Sequence, residues 1–176
     1  MKSKSAVNLL DELQATLAHG TVARRVETLR RVTDLFLDHA VDCSPEQIAV
    51  FDDVFGCLIE HMEACAKALL AERLAPIAAA PPRAIRTLAF DDLIEVAAPV
   101  LSQSVQLDES SLIENARTKS QQHLLAISIR KVLSGAVTDV LVARGNKEVV
   151  KSTVGNPGAE ISEQGYTTLL SRAERD

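Results

Sequence analysis

The chain has 176 residues, 47% of them hydrophobic and 24% charged, with a formal net charge of −5. This globular balance excludes general disorder, and the acidic excess argues against a dedicated duplex binder, which needs a basic face to displace counterions. Four Phe, one Tyr and no Trp leave the core to aliphatic residues and argue against base-stacking recognition of single strands.

Residues 6 to 18 form the first expected helix, with Val7, Leu10, Leu13 and Leu17 in one apolar stripe and His19-Gly20 at its end. Thr21 is placed to cap a second helix reaching about His39, its apolar face being Val22, Val26, Leu29, Val32, Phe36 and Ala40. Ser44-Pro45-Glu46-Gln47 is the clearest start signal: a cap, a proline at the first helical position, and a Gln able to close a capping box. A long helix is expected from there to Leu74, with a break near Gly56 as the alternative. Its buried positions are expected to include Ile48, Phe51, Val54, Phe55, Leu58, Ile59, Met62, Leu69 and Leu70.

Pro76, Pro81 and Pro82 mark a turn between packed helices. Beyond Arg83 the units shorten. Leu107-Asp108, Leu133-Ser134 and Ile161-Ser162 each set an apolar residue before a capping one, at spacings of 26 and 28 residues. Another apolar segment precedes each start, over residues 94–101, 124–129 and 149–154. Paired short helices that bury their faces only against neighbours are the pattern of a helical solenoid.

The runs Leu88-Ala89-Phe90-Asp91-Asp92, Val96-Ala97-Ala98-Pro99-Val100-Leu101-Ser102, Gln122-His123-Leu124-Leu125-Ala126-Ile127, Leu141-Val142-Ala143-Arg144-Gly145-Asn146 and Asn156-Pro157-Gly158-Ala159 resemble a bacterial family, domain of unknown function 2336. The resemblance is strongest from Leu88 onward. It implies a helical-repeat fold of the HEAT or leucine-rich-variant kind and no particular reaction.

Asp53, Cys57, His61 and Cys65 lie at four-residue steps and would share one face of an unbroken helix. Cys57, His61 and Cys65 are thus an outside candidate for metal ligation, although residues eight apart stand about 12 Å from each other along a straight helix, too far for one zinc. The core reading of these cysteines is preferred. Arg24, Arg25, Arg30 and Arg31, with Lys4 and Arg73, form a basic stripe into which Glu27 and Asp34 fall at ion-pairing spacing. His39, His61 and His123 lack a phosphorelay motif. Ser134, Thr138-Asp139 and Ser162-Glu163 are read as helix caps and first-turn acids rather than nucleophiles. Gly155-Asn156-Pro157-Gly158 lacks the lysine of a phosphate loop and reads as a turn. Asn156 and Arg130 occupy comparable junctions, suited to satisfying helix-end carbonyls.

These readings converge on an all-α chain, a right-handed HEAT/ARM-like α-solenoid without β-sheet. Residues 1–80 hold three to four long helices that begin it, and residues 81–176 hold shorter helix pairs, in one continuous domain or a fragment of a longer protein. The expected function is a non-enzymatic protein–protein interaction or scaffolding module with an unidentified protein partner. A nucleic-acid-binding repeat protein and a homo-oligomeric scaffold are the alternatives, with nucleic acid disfavoured. No catalytic residue, cofactor or resident metal is expected. The cysteines, Cys43, Cys57 and Cys65, odd in number and without a CxxC pair, argue for a reducing compartment. With no apolar stretch after the basic first residues and none long enough to span a bilayer, a cytoplasmic protein without membrane insertion is expected.

Overall fold

A computed structural model describes residues 19–174. Among the described residues ten helices follow one another: α1 Val22–His39, α2 Pro45–Glu60, α3 Ala64–Leu74, α4 Pro82–Ala89, α5 Ile94–Gln103, α6 Glu109–Thr118, α7 Gln121–Ser128, α8 Gly135–Arg144, α9 Lys147–Gly155 and α10 Glu163–Ala173. Among the described residues there is no strand, only an isolated parallel bridge between Leu133 and Ala159. The helix expected over residues 6–18 lies outside the described residues.

Local chemistry explains most of the boundaries. Thr21 accepts from the Arg24 amide and starts α1. At α2 the Ser44 hydroxyl accepts from the Gln47 amide while the Ser44 amide donates to the Gln47 side chain, a complete capping box ahead of Pro45. Asp108, Asn146 and Ser162 cap α6, α9 and α10, each side chain accepting from the amide three residues on. Ser134 differs: it occupies the cap of α8, yet its buried hydroxyl makes no hydrogen bond.

The segment after Ser44 is not one rod, and its break is not at Gly56. Helix α2 continues through Gly56 and stops at Glu60; the His61 amide turns back to the Leu58 carbonyl, and α3 begins after Glu63. Gly56 leaves open space around its missing side chain, so nothing there forces a turn. The break lets Leu58 and Ile59 on α2 and Leu70 and Leu74 on α3 all enter one core. Leu69, expected inside, is 58% exposed, and Val22 is also largely outside.

Most helices pack on the next and on the one two places along. Helices α1, α3, α5, α7 and α9 are successive neighbours, and so are α6, α8 and α10. Helix α2 packs on α4, and α4 reaches α6 through hydrogen bonds from Arg86 to Ser111 and from Asn115 to the Ala89 carbonyl. Two rows result, with the core between them. That core is largely aliphatic and includes Phe36 and Phe55, whose rings meet edge to face at 5.8 Å near the α1–α2 end.

Candidate functional site

The four residues at metal-ligand spacing are scattered by the break after Glu60. Asp53 pairs with Arg83 across the α2–α4 seam. Cys57 is buried on α2, His61 lies past its end with Nδ1 donating to the Cys57 carbonyl at 2.9 Å, and Cys65 is exposed on α3. The shared face therefore does not exist, because the helix meant to carry it is two helices. Among the described residues no three His, Cys, Asp or Glu side chains cluster as a metal site.

The arginine stripe is largely committed to carboxylates. Glu27 holds both Arg30 and Arg31, Arg25 reaches Glu63 just before α3, and Arg73 reaches Asp34 on α1. The Arg30 hydrogen bond, with that of Arg31 beside it, keeps the Glu27 carboxyl below its ordinary pKa. His39 is exposed at the end of α1. His123 is buried with both ring nitrogens engaged: Nε2 donates to the Asp91 carbonyl at 2.9 Å, and Nδ1 accepts from the Ser120 hydroxyl at 2.8 Å. It is a strut between α7 and the loop after α4.

Ser162 meets Asp139 rather than Glu163. Its hydroxyl donates to Asp139 at 2.6 Å and accepts from the Gly165 amide at 3.0 Å, so proton and lone pair both serve the start of α10. Asp52 plays a related part at α4: nine-tenths buried, it accepts from the Arg83 and Ala84 amides at 3.0 and 2.7 Å. Gly155 ends α9 and Asn156-Pro157-Gly158 turns the chain.

Arg130 and Asn156 do cap helix-end carbonyls, as their positions suggested, and Gln106 joins them. Gln106 donates to the Ala78 carbonyl at 2.5 Å. Arg130 donates to the Leu101 and Ser104 carbonyls at 2.6 and 2.8 Å, and Asn156 to the Ser128 and Arg130 carbonyls at 2.8 and 2.7 Å. These bonds tie together the loops that follow α3, α5, α7 and α9, so the loops form one continuous edge.

That edge carries exposed aliphatic side chains: Val105 is 70% exposed, Ile129 62% and Val132 74%. With Pro76, Arg130 and Lys131 they line a cleft of about 680 Å³. Sequence reasoning missed them. Ile129 falls in an apolar segment read as core, and only its place beside Arg130-Lys131, at the end of a short helix, could have marked it as outward. A second groove, of about 560 Å³, runs along α6, α8 and α10 and is lined by Ile113, Arg117, Val140 and Arg144 among others.

Residues 96–176 match the family described as "Uncharacterised protein conserved in bacteria (DUF2336)". No curated protein and no solved structure matches the chain. No helix among the described residues is long and apolar enough to cross a membrane.

Proposed function

We propose that the chain is a non-enzymatic protein–protein interaction or scaffolding module, its two rows of helices winding as a right-handed HEAT/ARM-like solenoid. The observation that carries the function is the exposed aliphatic edge. Val105, Ile129 and Val132 stand in water beside one another, although packing does not require them there, and contiguous exposed apolar surface marks a binding face. The pairing of most helices with the one two places along supports the solenoid. The cysteine pattern supports a cytoplasmic setting.

Affinity capture from a bacterial lysate, with bound proteins and nucleic acid both identified, tests this. One protein recovered in stoichiometric amount is the expected result. Recovery of nothing, or of nucleic acid alone, overturns it.

A homo-oligomeric scaffold is the second reading. It rests on α10, where Tyr166 and Leu170 are exposed one turn apart on the outer end of the stack. Light scattering on the wild-type chain and on Leu170→Glu checks it: a monomer in both cases removes it.

A further inference from the structure

The edge joined by Gln106, Arg130 and Asn156 is built from residues 76–81, 102–107, 128–133 and 152–159. The chain has 24 Asp and Glu, yet these four segments contain none; their only charged residues are Arg130 and Lys131, and one exposed acid, Glu160, borders them with its amide on the Leu133 carbonyl. The nearest acid in sequence after Leu107, Asp108, is turned to the Ser111 amide and the Ser110 hydroxyl. Among the described residues neither Arg130 nor Lys131 forms an ion pair. Arg130 is fixed by carbonyl oxygens alone, and Lys131 is exposed. A protein of net charge −5 thus presents one edge that is aliphatic and locally cationic.

We infer that this edge docks a segment of a partner protein in which aliphatic side chains alternate with carboxylates, the aliphatics packing on Val105, Ile129 and Val132 and a carboxylate meeting Lys131. The inference rests on the interaction-module reading and names the partner's chemistry. Charge complementarity selects the acid: a basic segment would meet two cations within the edge and a single carboxylate, Glu160, at its border. The shape selects a macromolecule. The cleft is shallow enough to leave Val105, Ile129 and Val132 more than 60% exposed, whereas a small-molecule pocket encloses most of its ligand. A membrane surface is a poorer match, because two cations supply little attraction to anionic lipid and the four segments hold no aromatic anchor.

The test uses a short amphipathic peptide of Leu and Glu, with a Leu/Lys peptide and a Ser/Glu peptide as counterparts, titrated into the full chain and followed by backbone amide shifts. The expected result is binding of the Leu/Glu peptide about tenfold or more tighter than either counterpart, with shifts concentrated in residues 102–107 and 128–133. Ile129→Ser/Val132→Ser and, separately, Lys131→Glu weaken it, while Leu69→Ser, an exposed aliphatic far along the chain, leaves it unchanged. Equal or tighter binding of the Leu/Lys peptide, shifts elsewhere, or no binding of the Leu/Glu peptide overturns the proposal. So does sedimentation with anionic phosphatidylserine vesicles when the peptides fail to bind. A lysate partner held equally by wild type and by Ile129→Ser/Val132→Ser leaves the interaction reading standing and removes only this edge.

Discussion

Asn156 donates to the carbonyl of Arg130 at 2.7 Å, while Arg130 donates to the carbonyls of Leu101 and Ser104. One residue is thus acceptor in one seam and donor in the next, so the two seams are mechanically linked. Arg130→Met strands two helix-end carbonyls and is expected to cost about 1.5–3 kcal/mol in urea denaturation. Asn156→Ala is expected to cost a similar amount. Because the two share a junction, the double variant should depart from the sum of the singles by about 0.5 kcal/mol or more. Strict additivity would show that the seams are independent.

Asp52 is expected to behave as a structural carboxylate. It satisfies the first amides of α4 from within the core, so Asp52→Ala leaves the buried Ala84 amide and the part-buried Arg83 amide unpaired. The cost is about 2–4 kcal/mol by denaturant titration, well above that of Asp53→Ala at the exposed end of the same Arg83 contact.

Two glycines make opposite predictions. At Gly56 a methyl group meets nothing within 4 Å, and the residue sits inside α2. Gly56→Ala is expected to stabilise by about 0.5–1 kcal/mol. At Gly158 a Cβ would stand 1.9 Å from the Lys131 carbonyl oxygen, where the chain crosses Leu133. Gly158→Ala must push those strands of backbone apart, and a lower melting temperature is expected. A neutral effect at Gly158 would mean the crossing has slack.

The Arg25–Glu63 pair predicts an acid-side pH dependence. The hydrogen bond from Arg25 holds the Glu63 carboxyl below its ordinary value of 4.5. A carboxyl lowered on folding contributes stability above its unfolded pKa and loses it as pH falls through the folded one. The melting-temperature gap between wild type and Arg25→Met should therefore be flat above about pH 5.5 and close progressively below pH 4.5. A gap that widens on acidification would contradict the assignment.

The caps at Thr21, Ser44, Asp108 and Ser162 were legible because capping is chemistry over three residues, complete in the local sequence. The junction roles of Arg130 and Asn156 were legible because their places relative to the helix starts are comparable. The turn at His61 was not: it holds neither Pro nor Gly and is dictated by the need to fold α3 back onto α1. With it fell the one-face reading of Cys57, His61 and Cys65. The outward Val105, Ile129 and Val132 were hidden for a different reason. Aliphatic residues look the same in sequence whether they end in the core or at its edge, and only the placement of neighbouring helices separates the two.

The cross-links between neighbouring loops and helices have one more consequence. The bonds from Gln106, Asn115, Arg130, Arg144, Asn156 and Arg172 span between 25 and 30 residues of chain. Loop-closure entropy grows only with the logarithm of that separation, so each link costs nearly the same to form. No link has to wait for the two ends of the chain to find each other. Folding can thus nucleate at whichever seam closes first and spread in both directions, and a chain emerging from the ribosome can secure each seam once about thirty residues are free.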